Sequence, residues 1–271
     1  MKLFTTTILI LTLAQSFAQG RVDGYYKGQG NLDFVISGGY ENNKNYFAGT
    51  NKVTLGRKIV IANAYLAYGI TNKLDVNFSL PYISVNNVAK GFQDASLFLK
   101  YRLIDFSDTS KSLKGSLSLA GGMSSNFTNY LTEGGNALGQ QAKTIDLRPV
   151  LQIHLPKGIF TTLQAGYTYK FDPVPNSFSP AVKVGIAKSK IYADVWYEYQ
   201  YSFGGLDYQG SPAPSTFQEL GVNYHKVGGT FYTPIKNKLG VFVGATYILS
   251  GRNTSQGLGI NAGIVLKHFK K

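Results

Sequence analysis

Apolar and polar residues alternate along most of this chain with a period of two. The clearest stretch is Leu74–Tyr82 (LDVNFSLPY), where every second residue is apolar. Because successive side chains of a β-strand point to opposite faces, this period predicts strands with one apolar and one polar face. The pattern recurs about a dozen times and predicts strands roughly at residues 30–40, 57–69, 74–84, 92–103, 113–123, 144–155, 159–171, 180–188, 191–203, 216–233, 239–250 and 257–269.

The predicted strands and their connections together indicate a membrane barrel. Nearly every strand has about ten residues or more, the length that crosses a bilayer when a strand is tilted. Short connections on one side and long ones on the other are typical of barrels with periplasmic turns and extracellular loops. The tight turns fall at 71–73, 156–158, 188–189 and 236–238, and the long polar loops at 41–56, 124–143, 172–179 and 204–215. The prediction is an all-β fold, a single transmembrane antiparallel up-and-down β-barrel of about 12 strands.

The first 18 residues have the features of a secretory signal peptide. Lys2 supplies a positive start, residues 3–13 form a short apolar stretch, and Ser16-Phe17-Ala18 fits the small-x-small pattern before a cleavage site. The alternative, a membrane-anchoring helix, needs roughly 20 apolar residues, and this stretch has about eleven. We therefore expect a cleaved signal peptide at 1–18 and a barrel domain at 19–271, in the outer membrane of a Gram-negative cell.

Composition excludes several other classes of protein. The chain has 271 residues and no cysteine, so a lipid-attachment cysteine, a disulfide framework and a thiolate metal site are excluded. After the N-terminus, no segment approaches 18 consecutive apolar residues, which argues against a helical membrane protein. Hydrophobic residues make up 44% and aromatic residues 14% of the chain, which is more apolar surface than a disordered protein carries.

The net charge of +13 bears on the expected partners. Anionic phospholipid headgroups are the natural counter-charge for lysines in short turns, whereas nucleic-acid binding needs the charge on one exposed face. The lysines in question are Lys73, Lys157, Lys188, Lys190, Lys236 and Lys238. The expected partners are outer-membrane lipids, a small-molecule solute and the barrel-insertion machinery during biogenesis. No nucleic acid is expected.

Residue parity assigns a lipid face and a lumen face to each predicted strand. On the third, seventh and ninth strands the lipid face comprises Leu74, Val76, Phe78, Leu80 and Tyr82, then alternate residues from Ile159 to Phe171, then alternate residues from Ile191 to Phe203. The ionisable residues at lumen parity are Asp75, Asp94, Lys100, Arg102, Lys114, Asp146, Arg148, His154, Lys170, Lys183, Asp194, Glu198, Glu219 and His225. A soluble β-sandwich would not bury so many charges, because each unpaired buried charge costs several kcal/mol.

Two interpretations of these lumen charges remain open from sequence. Either they line a pore that selects solutes, or they form structural ion pairs that fill and brace the barrel. On the first interpretation, the candidate solute-binding residues are Asp75, Lys100, Arg102, Lys114, Asp146, Arg148, Lys183, Asp194 and Glu198.

Folding the chain back between the third and fourth strands sets Asp75 near Tyr101. Shared parity then predicts an ion pair between Asp75 and either Lys100 or Arg102 at the periplasmic mouth. The next turn places Arg102 level with Lys114, which predicts a net positive ring there that would favour anions.

Pro149 lies at lipid parity in the sixth predicted strand. Because proline has no N–H to donate, this position requires a bulge or a gap in the ladder of hydrogen bonds. The gap is either a kink that serves packing alone or a side exit for an apolar solute.

The sequence contains no catalytic or cofactor-binding pattern. A barrel hydrolase needs a histidine, a serine and a polar orienting group together on the lipid side near the rim. His154 and His225 lie at lumen parity, and His268 lies at the end of the chain. No metal-ligand spacing occurs, and no glycine motif opens a strand-to-helix unit that could hold a nucleotide. We expect no enzyme activity, no cofactor and no metal.

Two neighbouring stretches resemble a known family. Residues 66–82 read LAYGITNKLDVNFSLPY, and residues 91–103 read GFQDASLFLKYRL. They resemble the transporter-like outer-membrane family labelled putative MetA pathway of phenol degradation, which has a YGxTxxLDxxxxxPY hairpin followed by a GxGDxxLxxKYR strand. Gln93 stands where that family usually has glycine. The resemblance implies an outer-membrane barrel that passes small aromatic or otherwise hydrophobic compounds.

Three functions fit these observations. The first is a channel or facilitator for small solutes. The second is a non-conducting structural barrel, or one that interacts with partners through its extracellular loops. The third is a subunit of an outer-membrane secretion or motility assembly.

Overall fold

The structure, a computed structural model, describes residues 22–108 and 113–269. The predicted signal peptide at 1–18 lies outside the described residues. Two short 3-10 turns occur, at Pro156–Gly158 and Phe217–Glu219. The β-segments are β1 (Leu32–Ala48), β2 (Asn51–Gly69), β3 (Leu74–Val85), β4 (Ala89–Phe92), β5 (Asp94–Asp108), β6 (Leu113–Asn126), β7 (Thr144–His154), β8 (Ile159–Lys170), β9 (Ser177–Lys188), β10 (Ile191–Ser202), β11 (Asn223–Lys236), β12 (Leu239–Arg252) and β13 (Thr254–His268).

These segments form one closed antiparallel barrel. β1 pairs with both β2 and β13, and β2 pairs in turn with β3, so the sheet has no free ends. β4 and β5 both pair with β3 and are separated only by Gln93, so they act as one strand of a twelve-stranded barrel. Closure satisfies the backbone hydrogen bonds of every wall strand, which a membrane-spanning sheet requires. The predicted fold class is confirmed.

No helix within residues 22–108 and 113–269 is long and apolar enough to cross a membrane.

Two predicted boundaries are wrong. Most of the predicted loop 41–56 is a continuation of the β1–β2 hairpin, which turns only at Gly49 and Thr50. Polar residues occupy both faces of the strands in this segment, so apolar and polar residues do not alternate clearly along it. The predicted strand 216–233 begins only at Asn223, because Phe217–Glu219 forms a turn in which the Thr216 hydroxyl accepts a hydrogen bond from the Gln218 N–H. Glu219 therefore lies in a loop and not on a strand facing the lumen.

Exposure alternates along the strands as predicted. On β10, Val195 is 67% exposed on the outer surface, whereas its neighbours Asp194 and Trp196 are buried in the lumen. The predicted lipid faces of β3, β8 and β10 are confirmed by the same alternation. The barrel wall therefore has an apolar outer surface and a polar inner one.

His225 is an exception, and its predicted lumen position is wrong. It lies on the outer surface, where its ring stacks on Tyr199 at 4.6 Å between centroids. Its Nδ1 atom lies 2.7 Å from the Tyr197 hydroxyl. The stretch Val227-Gly228-Gly229 on β11 has no polar alternation, so parity could not be read correctly from sequence.

Ile36 and Ser37 offer a direct test of the two faces. Ile36 is 57% exposed at the centre of the apolar outer stripe of β1, whereas Ser37 lines a cavity in the lumen. Ile36→Lys should lower the free energy of unfolding by about 2–4 kcal/mol, because it places a charge near the middle of the bilayer. Ser37→Lys, the matched control, should lower it much less. Denaturant unfolding in phospholipid vesicles measures both, and equal losses would contradict the assignment of faces.

Candidate functional site: the occupied lumen

The segment Val22–Lys27, called the plug below, lies inside the barrel. Val22 packs in a buried cluster with Phe98 and Ala120 of the barrel wall. The Gln164 amide donates a hydrogen bond of 2.7 Å to the Val22 carbonyl, and the Tyr26 hydroxyl donates one of 2.9 Å to Ser118. The lumen is therefore occupied by the chain's own N-terminal segment.

Lys100 is the wall residue most deeply engaged with the plug. Its Nζ donates to the main-chain oxygens of Asp23, at 2.7 Å, and Tyr25. It also lies 3.7 Å from Asp75 Oδ2 and 4.0 Å from the centre of the Tyr26 ring. Lys100 and Asp75 are each only 1% exposed. A buried ammonium is tolerated here because a carboxylate, two carbonyls and an aromatic face surround it.

The predicted pairing of Asp75 is confirmed for one of its two alternatives. Asp75 and Lys100 are register partners on β3 and β5, and they form the ion pair. Arg102 instead pairs with Asp105 at 3.3 Å. The Arg102 guanidinium also lies 4.1 Å from the centre of the Tyr26 ring.

The predicted alignment of Arg102 with Lys114 is wrong. A bulge between Arg102 and Ile104 shifts the register, so Arg102 is level with Ser118, while the exposed Lys114 is level with Ser107. The predicted net positive ring is wrong as well, because Lys114 is not part of it and Lys100 and Arg102 each have a carboxylate within 4 Å, as do Arg148 and Lys183 elsewhere on the wall. The pairs are Lys100–Asp75, Arg102–Asp105, Arg148–Asp146 and Lys183–Asp194.

The Asp23 carboxylate of the plug is surrounded by ammonium groups. Lys27 Nζ lies 3.9 Å from it and 2.9 Å from Asp33. Burial alone would raise the pKa of Asp23, but Lys27, Lys183 and Lys100 hold that pKa below its ordinary value. Burial alone would lower the pKa of Lys27, but Asp23 and Asp33 raise it. The plug therefore carries its charges into the barrel in ionised form.

The Tyr25 ring of the plug lies in a cage of aromatic rings. The ring centres of His154 and Phe160 lie 5.3 and 5.4 Å from that of Tyr25, and the Tyr192 centre lies at 6.3 Å. All three meet Tyr25 edge to face, a favourable geometry for aromatic pairs. His154 was assigned to the lumen by parity, and the structure places it there.

Gly24 lies between Asp23 and Tyr25 and lets the plug backbone approach the barrel wall closely. A Cβ atom at this position would lie 1.9 Å from Gln152 Oε1 and 3.1 Å from Thr162. Only glycine fits without displacing Gln152, whose oxygen also accepts a hydrogen bond from the Thr162 hydroxyl.

The other predicted site residues form ion-pair networks along the lumen wall. Lys183 lies 3.6 Å from Asp194, which also accepts hydrogen bonds from the Tyr192 hydroxyl and the Thr230 amide. Glu198 accepts a hydrogen bond of 2.8 Å from the Tyr224 hydroxyl.

Asp146 and Arg148 form a second network on β7, with Thr168 donating to Asp146 and Arg148 donating to Ser179. The predicted gap at Pro149 is present beside it, since pairing of β7 with β8 is interrupted at Arg148 and Pro149. The Arg148 guanidinium backs this gap from the lumen, because a Cβ atom on the facing Gly166 would lie 2.2 Å from it. The side exit stays a prediction.

Two long loops, 127–143 and 203–222, meet over the mouth of the barrel opposite the β2–β3 turn. Tyr130 and Leu138 of the first loop pack on Ile83, Val85 and Ala89 of the wall. Both loops are long and polar, as the sequence predicted, but their inward packing had no signal in the pattern.

The two loops are joined by hydrogen bonds. Glu133 accepts bonds from the Thr216 hydroxyl and the Phe217 amide, and the Gln140 side chain donates to the carbonyls of Phe217 and Leu220. The lumen is therefore covered by these loops at one mouth as well as filled by the plug.

Two cavities in the lumen bear on the site. One, open to solvent, is lined by Ser37, Glu41, Asn63, Thr246 and Asn261, among others. The other is lined by Gln164, whose amide binds the Val22 carbonyl, and by Lys183, Trp196 and Glu198, among others. Within the part of the chain that the structure describes, no group of three or more acidic or histidine side chains could hold a metal ion.

Sequence reasoning missed the plug altogether. Residues 22–27 (VDGYYK) have no period of two and precede the first predicted strand, so no structure was assigned to them. Their two tyrosines and two charges were the only available signal.

The chain matches no family model and no curated protein, so its resemblance to the MetA-labelled family stays a prediction. Among solved structures it is similar to the COG4313 outer membrane channel from Pseudomonas putida F1, with a TM-score of 0.72 and 16% identity over 91% of this chain and 100% of that one. It is also similar to the NanC porin, with a TM-score of 0.54 and 10% identity over 86% of this chain and 98% of that one.

Outer membrane phospholipase A from Escherichia coli reaches a TM-score of only 0.44, at 11% identity over 89% of this chain and 91% of that one, which is too low to bear on activity. At these identities the comparisons show the fold alone, a β-barrel of the outer-membrane type.

Lys100→Met tests how strongly the plug and wall depend on this ammonium. We expect a loss of about 3–5 kcal/mol in the free energy of unfolding, because Asp75 and two plug carbonyls lose their buried partner. Lys90→Met, an exposed lysine on the same wall strand, should change stability by less than about 0.5 kcal/mol. Denaturant unfolding in lipid measures both, and a Lys100→Met variant as stable as the parent protein would show that the ammonium is dispensable.

Proposed function

We propose that this protein is an outer-membrane channel for small solutes, closed in the state described here. The observation that carries the proposal is that two non-strand parts of the chain, the plug and the loops over one mouth, occupy and cover a lumen whose inner wall is polar. Hydrogen bonds, ion pairs and ring contacts hold both in place, and such contacts can exchange for water or solute. The fold shared with the COG4313 channel and the NanC porin supports this function.

Location in the outer membrane and export by a cleaved signal peptide belong to the same proposal. The apolar outer surface, with aromatic side chains such as Tyr82, Phe92 and Phe127 packed together at its extracellular end, suits a bilayer with its interfaces. The resemblance to the MetA-labelled family adds aromatic or otherwise hydrophobic compounds as candidate solutes. No enzyme activity is proposed.

The paired lumen charges also favour a second candidate, a non-conducting structural barrel. Lys100, Arg102, Arg148 and Lys183 each already have a carboxylate partner, which is what bracing ion pairs would provide. The two candidates differ in what happens when the plug is removed.

Planar-bilayer recordings of a chain lacking residues 22–27 decide between these candidates. We expect single-channel steps several-fold larger than those of the full chain, because the segment that fills the periplasmic half of the lumen is gone. A chain lacking residues 19–21, which retains the plug, is the control and should conduct like the full chain. Absence of conductance in the plug-free barrel, with its fold confirmed by circular dichroism, would overturn the channel proposal in favour of the structural barrel.

A further inference from the structure

The plug presents a carboxylate and an aromatic ring, two residues apart, to two separate parts of the lumen wall. The carboxylate of Asp23 lies 3.9 Å from Lys27 Nζ, and Lys100 of the wall donates to the main-chain oxygen of the same residue. The neighbouring Gly24 faces Thr162, the register partner of Lys183. The ring of Tyr25 lies among aromatic rings. Neither side chain is required to make a plug, since apolar packing such as that of Val22 would fill space equally well. The combination has the chemistry of one small molecule, an aromatic carboxylate.

The anionic part of this arrangement depends on two wall lysines, Lys100 of β5 and Lys183 of β9. Both are almost completely buried, and each has only one carboxylate partner in the wall, at 3.7 Å and 3.6 Å respectively. An ammonium has three N–H groups, and two of those on Lys100 go to plug carbonyls. Departure of the plug therefore leaves buried donors without acceptors, which an incoming carboxylate can satisfy.

The aromatic cage of His154, Phe160 and Tyr192 binds the ring of Tyr25 and not its hydroxyl group. The Tyr25 hydroxyl is buried, yet it has no hydrogen-bond partner within the described residues. The ring makes edge-to-face contacts with His154, Phe160 and Tyr192. An unsubstituted phenyl ring would therefore fit this cage at least as well as a phenol.

The spacing between the two parts sets the length of the ligand. Only Gly24 separates Asp23 from Tyr25, and the segment bends here, so that Lys100 Nζ donates to the main-chain oxygens of both residues. A carboxylate joined to a phenyl ring by a short flexible chain, as in 3-phenylpropanoate, can follow such a bend, whereas benzoate holds its carboxylate directly on the ring.

We propose that the plug is an internal substitute for a small arylalkanoate anion, and that such an anion binds the lumen at Lys100, Lys183 and the aromatic cage by displacing Asp23 and Tyr25. This inference rests on the channel function proposed above and names the class of solute for it. The cavity lined in part by Gln164, Lys183 and Trp196 is where the anion would first reach the site. Binding and plug displacement are then one event, so the solute opens its own path.

Trp196 provides the readout. It is the sole tryptophan of the chain, it is 7% exposed, and it is the register partner of Lys183 across β9 and β10. Titration of its fluorescence with 3-phenylpropanoate in lipid vesicles should give a saturable change. Two double variants weaken the binding of the plug to the wall. Asp23→Asn/Tyr25→Phe removes the carboxylate charge and keeps the aromatic ring. Asp23→Asn/Tyr25→Ala removes both the charge and the ring.

We expect about tenfold tighter binding in Asp23→Asn/Tyr25→Ala than in the parent, because less of the binding free energy goes into displacing the plug. Asp23→Asn/Tyr25→Phe should lie between the two. Lys183→Met should weaken binding at least about tenfold. Lys188→Met, an exposed lysine on the same strand, is its matched control and should bind like the parent. The neutral 3-phenylpropan-1-ol and the ring-free hexanoate should bind at least about tenfold more weakly than 3-phenylpropanoate.

A covalent lock separates displacement from binding elsewhere. The chain has no cysteine, so Val22→Cys combined with Ala120→Cys places two thiols in the cluster where the plug meets the wall. The oxidised, locked protein should show no binding, and reduction should restore it. Binding to the locked protein, equal binding of the alcohol, or no gain in the plug-weakened variant would each overturn the inference.

These results are distinct from those that test the channel itself. A plug-free barrel that conducts but does not bind 3-phenylpropanoate contradicts only the choice of solute. A barrel that binds the anion but does not conduct contradicts the channel function.

Discussion

Closure of the hydrogen-bonded sheet is the constraint on which the rest of this structure depends. A strand that crosses a bilayer has no water to satisfy its N–H and C=O groups, so all of them must pair with neighbouring strands. The pairing of β1 with β13 and of β2 with β3 removes the last free edges. Once the sheet is closed, every second side chain faces lipid and the others are forced into one shared interior. The polar residues of this chain therefore meet in the lumen whether or not they carry a function.

That interior explains why the plug binds where it does. Twelve strands enclose more space than the lumen side chains fill by themselves, and the charged groups among them need partners. Lys100 obtains its acceptors from the plug backbone, while Asp75 accepts in return from the Lys27 amide. Wall and plug thus satisfy each other, and the occluded state is a consequence of the same pairing rule that shapes the wall. Any solute that passes must replace those contacts, which limits the chemistry of solutes that can do so.

The parts of this structure that were predictable from sequence are those governed by the period of two. The strand count, the faces of β3, β8 and β10, and the pairing of Asp75 with either Lys100 or Arg102 all follow from alternation and from the length of one turn, and the structure selects Lys100. The errors lie where alternation fails or slips. The bulge after Arg102 shifts the register, so that Lys114 is not level with Arg102. The glycines of β11 interrupt the alternation, so the face on which His225 lies could not be read from the pattern.

The plug and the covering loops could not be predicted, because non-repeating segments carry no periodic signal. Their positions depend on contacts between residues far apart in the chain, such as Gln164 with Val22 and Gln140 with Phe217. A single sequence contains the residues for such contacts but not their pairing. The candidate site was therefore predictable as a set of lumen charges and not as an occupied lumen.

Quenching of Trp196 fluorescence in membranes tests the occluded barrel most directly. Because Trp196 faces the lumen beside the plug, we predict weak quenching both by brominated lipids and by aqueous acrylamide. The variant Val195→Trp/Trp196→Phe, which moves the indole to the outer face, should be quenched strongly by the brominated lipids. Strong quenching of Trp196 itself by brominated lipids would contradict the assignment of faces, and strong quenching by acrylamide would show that the lumen is open and not filled by the plug.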